Sequence, residues 1–256
     1  MMNLDKTLSA AALPVHEIVY QDLRALILFG EFIPGEAVTI QGLATRLSAG
    51  LTPVREAIRR LTAEGALSFN DNRRVCVPTL SLKDLEDVSF ARQFLEPKLI
   101  FMAAQQVTAQ DIAALITLDS ALDQAIFRGD APMYLRLNYQ FHHQLYQLAR
   151  APILSALTDG LWLRFGPSLR IVCGRLGTLH LVDQHKETLL ALKAGDPQAA
   201  SDAILQDVLQ GMEQIRLGIA ERPWAVIRLT INNLIIFCAS ARYCARSAPA
   251  KSKVPR

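Results

Sequence analysis

The stretch LTPVREAIRRL, Leu51 to Leu61, sets Arg55, Arg59 and Arg60 just behind a Thr-Pro pair. An arginine guanidinium is a planar fork of N–H donors that matches guanine O6 and N7, or a phosphate. Thr52 reads as a helix N-cap, its hydroxyl accepting from the free amides of the first turn. Pro53 then falls at the first helical position, where its missing N–H and fixed φ cost nothing. Val54, Ala57, Ile58 and Leu61 recur at the spacing of one helix face, which leaves Arg55, Arg59 and Thr62 facing away. Taken alone, this is also the pattern of a solvated surface helix. A second stretch, LNYQFHHQLYQLA, places Asn138 and His142 four apart on one helix face, with His143 turned elsewhere. By itself an Asn-x-x-x-His pair is a weak signal, and a hydrogen-bonded core histidine suits it better.

Composition bounds what these residues can serve. The chain has 256 residues, 51% of them apolar, enough for one large or two modest domains with an ample core. The longest apolar runs, such as LIIFCA near the end, fall far short of a membrane span. The opening MMNLDKTLSAAALP lacks the layout of a secretory signal. Cys76, Cys173, Cys238 and Cys244 show no CxxC spacing, which fits a reducing cytoplasm. The net charge of +3 is uneven: residues 1–80 balance eight cations with eight anions. Residues 81–218 hold twelve cations against fifteen anions, and residues 219–256 seven against one. The basic surplus is therefore all in the tail, so any nucleic-acid contact in the first segment depends on placement rather than total charge.

The elements that must position these residues follow from local signals. Residues 14–30 read as a helix ended by Gly30, and Pro34–Gly35 as a turn. Residues 39–48 read as a short helix, followed by the arginine-bearing helix from Pro53 to Glu64, stopped at Gly65. ALSFNDNRRVCVP predicts two short strands around an Asn-Asp-Asn turn. Helix, helix, short turn, helix and hairpin is the order of a winged helix-turn-helix, here residues 14–79. From residue 81 to 218 only long helices are expected. Capping-box starts at Ser81/Asp84 and Thr108/Asp111 open helices to about Gln106 and over 109–128. Further helices are expected over about 131–150, 152–172, 179–194 and 197–218, giving a mainly α chain with a six-helix bundle.

The sequence resembles the GntR family of bacterial transcription regulators, in the FadR-like branch with an FCD effector domain. The resemblance rests first on ILFGEFIPGEAVTIQGLATRLSAGLTPVREAIRRLTAEGAL, similar to the family's G-x-x-x-P-G-E, L-A-x-x-L and T-P-V-R-E-A-x-x-x-L signatures. It implies DNA contacts from Thr52, Pro53, Arg55, Arg59, Arg46 in the preceding helix, and Arg73 and Arg74 in the wing. Two departures stand out. The family's Ser-Arg before Thr-Pro is Gly50-Leu51 here, and its wing glycine is replaced by Arg74. Arg73 and Arg74 partly restore the charge missing at Leu51.

LNYQFHHQLYQLA looks like the FCD signature D/N-x-x-F-H. The resemblance implies a divalent metal site completed by two histidines from the last two helices. The first maps onto His185; the second position holds Asp207. The implied ligand set is Asn138, His142, His185 and Asp207, suited to Zn²⁺, Ni²⁺ or Mn²⁺, and leaning to harder metals than a three-histidine set. Arg92 and Glu96 match the family's R-x-x-L-E, which implies that Arg92 binds an effector carboxylate; an ordinary intrahelical pair is the alternative.

The expected function is therefore a cytoplasmic, ligand-responsive regulator, a homodimer bound to double-stranded operator DNA and controlled by a small organic acid. Repression is the direction the family favours, and no membrane partner is expected. One rival is a degraded paralogue that binds ligand or a protein partner without reading DNA, as the changes at Gly50, Leu51, Arg74 and Asp207 suggest. The other is a metal-dependent hydrolase, for which no nucleophile motif or separate general base is found, so no catalytic residue is assigned. Residues 219–256, an apolar and then basic extension expected to be loosely ordered past Ala245, leave three readings open: an interaction helix, a basic arm for DNA or membrane, or sequence without selected function.

Overall fold

The computed structural model describes residues 13–69, 74–172 and 182–221. The N-terminal unit runs α1 (Val15–Leu28), β1 (Ala37–Val38), α2 (Ile40–Arg46), α3 (Leu51–Ala63), β2 (Ser68–Phe69) and β3 (Val75–Cys76). β3 lies between β1 and β2, antiparallel to both, with Val38 opposite Val75 and Ser68 opposite Cys76. The expected hairpin is present. β1 was not foreseen, because a two-residue strand carries no alternation and exists only through its distant partner. Val19, Leu23 and Ile27 of α1 meet Val54, Ile58 and Leu61 of α3 in a buried core. Thr39 caps α2 by accepting from the Gly42 amide. The turn between α2 and α3 bends through Ser48, whose φ of 49° is left-handed.

The second unit is the expected bundle of six helices among the described residues: α4 (Leu82–Ala104), α5 (Ala109–Arg128), α6 (Ala131–Leu148), α7 (Pro152–Val172), α8 (Gln184–Ala194) and α9 (Pro197–Glu221). Both capping boxes form as written in the sequence, Ser81 with Asp84 and Thr108 with Asp111. Gly129 and Gly195 end α5 and α8 in the left-handed conformation that glycine adopts without strain. α8 starts at Gln184, later than expected, because the Asp183 side chain caps it by accepting from the Lys186 amide. α4 packs along α9 and also meets α6 and α7, while α8 lies against α9 and α5. The extension beyond Glu221 lies outside the described residues.

The two units share a contact between α1 and α7. Arg170 donates to the Gly30 carbonyl, and Arg136 lies over the Phe29 ring, 4.5 Å from its centroid. Gly166 sits so close that a Cβ there would come 2.8 Å from the Leu28 carbonyl oxygen. Backbone cannot rotate aside as a side-chain tip can. Gly166→Ala is therefore expected to cost about 1–3 kcal/mol through overpacking. Gly160→Ala on the same helix, where a Cβ meets nothing within 4 Å, should instead stabilise by up to about 1 kcal/mol. Urea unfolding of the two variants side by side checks both signs.

Candidate DNA-binding face and effector site

The arginine-bearing helix begins two residues earlier than its Thr-Pro pair suggests. Gly50 takes the N-cap position with extended backbone and no side-chain capping bond, and Leu51 is the first helical residue. Thr52 and Pro53 thus lie within the first turn, where a missing proline N–H still costs nothing. The first-turn amides stay unclaimed by a cap, which leaves them open to an oxygen ligand such as phosphate. Val54, Ala57, Ile58 and Leu61 are buried, as their spacing predicts. Arg55 and Arg59 are exposed and make no ion pair among the described residues. Leu51 stands beside them, 38% exposed.

The other cations divide between holding the unit together and facing solvent. Arg60 reaches Glu17 at 2.8 Å and Glu64 at 3.2 Å, and lies over the Tyr20 ring, 3.4 Å from its centroid. It straps α3 to α1, so the third arginine of the opening stretch is structural. Arg46 is held at the surface by Glu31 at 2.8 Å and by the Phe32 ring. Arg74 is exposed at the foot of the wing. Arg73 lies outside the described residues.

Inside the bundle, three of the four candidate ligands converge. His142 on α6, His185 on α8 and Asp207 on α9 each turn a ligand atom to one point, all within 4.8 Å of one another. His142 Nε2 lies 3.3 Å from His185 Nε2 and 3.1 Å from Asp207 Oδ2, while His185 Nε2 lies 3.9 Å from Asp207 Oδ1. A tetrahedral site with bonds near 2.1 Å has ligand-to-ligand edges of about 3.4 Å, close to the two shorter separations. His142 is fully buried, and its Nδ1 has no hydrogen-bond partner among the described residues. Burial works to raise the Asp207 carboxyl. The hydrogen bond from His142, with the charges of His142, His185 and Arg92, overrides it and holds the group down to about 2. His185 is raised: burial opposes its charge, but Asp119 and Asp207 prevail. The donor set and spacing fit a divalent cation. Asn138 stands half-buried one turn before His142, and its amide makes no hydrogen bond among the described residues.

Arg92 is 3% exposed and forks onto Glu96 through Nε and Nη2, the latter at 3.2 Å. Among the described residues the one hydrogen-bond acceptor of its Nη1 is the Met212 sulfur at 3.2 Å, a weak acceptor for a charged donor. Tyr146 donates to Glu96 at 2.7 Å and accepts from Trp162 Nε1 at 3.0 Å. Trp162 reaches within 5.1 Å of the His142 ring, centroid to centroid. Tyr146 was legible in principle, since it follows Asn138 and His142 at the same four-residue step. Trp162 and Met212 carry no such signal.

Tyr139 joins this site to the first unit. It meets Trp162 edge-on at 5.4 Å between centroids, Phe29 of the first unit at 5.7 Å, and lies close enough to Arg24 of α1 for the guanidinium charge to act on its hydroxyl. Its hydroxyl donates to Asp159 at 3.2 Å, and His143 Nδ1 reaches the same oxygen at 3.0 Å. Burial, then the Asp159 charge, pushes the Tyr139 hydroxyl up to about 12 against the pull of Arg24.

A winged helix-turn-helix with exposed Arg55 and Arg59 along its third helix, packed on a helical bundle with a buried polar centre, defines a DNA-binding regulator with an effector domain. Comparison with known proteins assigns the family. Residues 16–77 match the model for bacterial regulatory proteins of the gntR family, and residues 87–209 match the FCD domain. The chain belongs to the GntR family, in its FCD-bearing branch. It is 29% identical over 197 residues to the HTH-type transcriptional regulator McbR of Escherichia coli K12, covering 76% of this chain and 89% of that protein. It is 25% identical over 210 residues to the HTH-type transcriptional repressor RspR of the same strain, covering 79% and 91%. The solved structure of E. coli McbR/YncC superposes with a TM-score of 0.75 at 27% identity, over 81% of this chain and all of that one. These relatives are transcription regulators rather than enzymes, so the hydrolase reading is set aside. Among the described residues no helix is long and apolar enough to cross a membrane.

Proposed function

We propose that this protein is a cytoplasmic repressor, a homodimer whose two recognition helices bind the half-sites of a near-palindromic operator and whose bundle binds a small organic acid. The repressive sign is supported by the likeness to RspR, a repressor by name. His142, His185 and Asp207, with Asn138 one turn away, would hold a Zn²⁺, Ni²⁺ or Mn²⁺ ion. When bound, such an ion supplies a Lewis-acidic anchor for an effector carboxylate. Arg92 Nη1 offers that carboxylate a better partner than the sulfur it now faces. Thr52 and the first-turn amides take phosphate oxygens, Arg55 reads a base edge or phosphate, and Arg46, Arg59, Arg73 and Arg74 follow the backbone.

The observation that carries a ligand-responsive reading is the place of Tyr139, against Trp162 of the effector site and against Arg24 and Phe29 of the DNA-binding unit. An effector that moves Trp162 acts on α1 through one side chain. Control then requires only that the effector bind the DNA-competent and incompetent arrangements unequally. The test is fluorescence anisotropy of full-length protein on the DNA flanking its own gene, titrated with salt and competed with random duplex. The expected result is saturable binding that random DNA of equal length does not displace. Binding equal on all duplexes and steeply lost with salt would leave only backbone attraction and overturn the regulator reading.

A further inference from the structure

We propose that Asp119 on α5 and Glu96 on α4 are positioning residues that fix which ring nitrogen His185 and His142 present to a shared divalent cation. The proposal rests on the metal reading above and extends it to two carboxylates that lie behind the converging atoms. Both are buried, Glu96 at 0% and Asp119 at 5% exposure. Asp119 Oδ1 lies 3.5 Å from His185 Nδ1, and Glu96 Oε2 lies 3.6 Å from His142 Nδ1. Each contact is a few tenths of an ångström from hydrogen-bond distance. Each imidazole is thus strung between a carboxylate at its back and the point shared with Asp207 at its front.

That arrangement decides the tautomer. A proton kept on Nδ1 by a carboxylate leaves an inward lone pair on Nε2, the form in which imidazole binds metal. A cation would take the place of the proton that His142 Nε2 shares with Asp207, meeting donor atoms 3.1–3.9 Å apart, and that proton would pass to Nδ1 facing Glu96. The braces are themselves fixed. Arg92 and Tyr146 hold Glu96 in place, and Phe141 stacks on the His185 ring at 4.0 Å with 12° between planes, which prevents it from tilting. Charge agrees. Arg92 offsets Glu96, while Lys186 lies 3.8 Å from Asp119 but closer to Asp123, at 2.9 Å, and Asp183, at 2.5 Å. Asp119 and Asp207 then leave two negative charges facing the site, the complement of a dication.

Glu96→Gln would leave the buried Arg92 charge uncompensated and risk unfolding, so Asp119 carries the test. Calorimetric titration of the full-length chain with Ni²⁺ alone should show that Asp119→Asn raises the dissociation constant about 10- to 100-fold. Lys186→Met, which removes the other partner of Asp119, should leave Ni²⁺ affinity unchanged or tighter. In the Zn²⁺-loaded protein, long-range ¹⁵N NMR should show His185 with its proton on Nδ1, and that signature should weaken in Asp119→Asn. A purely structural carboxylate would lower the melting temperature of both variants and leave Ni²⁺ affinity untouched, which overturns the positioning role alone. Wild-type protein that takes up no Ni²⁺ overturns the metal reading and this proposal together.

Discussion

Ni²⁺ titrated into the Trp224→Phe variant should quench the remaining tryptophan, and the same titration on a His142→Gln version should leave it bright. Trp162 is then the only indole in the chain, 5.1 Å from the His142 ring. An ion held by His142, His185 and Asp207 would sit within contact range of that fluorophore. Glutamine keeps much of the volume of histidine, so the core around Phe141 and Tyr146 is retained while a ligating nitrogen is removed. Losing a direct ligand should cost more than the roughly 10- to 100-fold typical of an outer-shell partner, which places binding beyond the range of a micromolar titration. The competing account makes His142 a core histidine hydrogen-bonded to Asp207. On that account wild-type emission is indifferent to Ni²⁺, and the variant shows only lower stability. Far-UV circular dichroism of both proteins separates lost binding from lost fold.

The sequence made parts of this site legible and hid others for identifiable reasons. Ser81/Asp84 and Thr108/Asp111 could be read to the residue because a capping box is complete within four positions. Asn138 and His142 shared a face by spacing alone, yet nothing local joined them to His185 and Asp207, which arrive on helices 43 and 65 residues beyond His142. Only the family pattern linked them. Asp119 gave no signal at all, since its meaning depends on α5 lying against α8. The start of α3 was misplaced because Thr-Pro is a good cap and first turn in isolation, whereas here the chain enters the helix at Gly50 from the left-handed Ser48. Arg60 looked like its neighbours in the string, and only the approach of α1 shows it committed to Glu17, Glu64 and Tyr20.

That sorting of the arginines sets the other large effect. Arg55→Ala should weaken binding to the protein's own operator by about 1–3 kcal/mol, roughly 5- to 150-fold, if its guanidinium forks to a base. Binding to random duplex should change far less. Arg55 is the fitting choice because it is exposed, lies in the second turn of α3, and makes no ion pair among the described residues, so its removal takes little from the fold. Arg60→Ala would be a misleading substitute, since it breaks the strap to α1. Leu51→Arg distinguishes a tuned reader from a degraded one. Leu51 is exposed at the first position of the recognition helix, where the family pattern supplies a cation and this chain does not. In a regulator adapted to its own site, an arginine there adds phosphate attraction on every duplex and narrows the margin between operator and random DNA. In a chain that has lost its operator, the same change raises affinity from a nearly non-specific baseline, and Arg55→Ala then matters little on any sequence. Anisotropy of the two variants on operator and random duplex, at two salt concentrations, decides between these states because only a tuned reader has a specificity ratio to lose, while a degraded one gains affinity on every duplex alike.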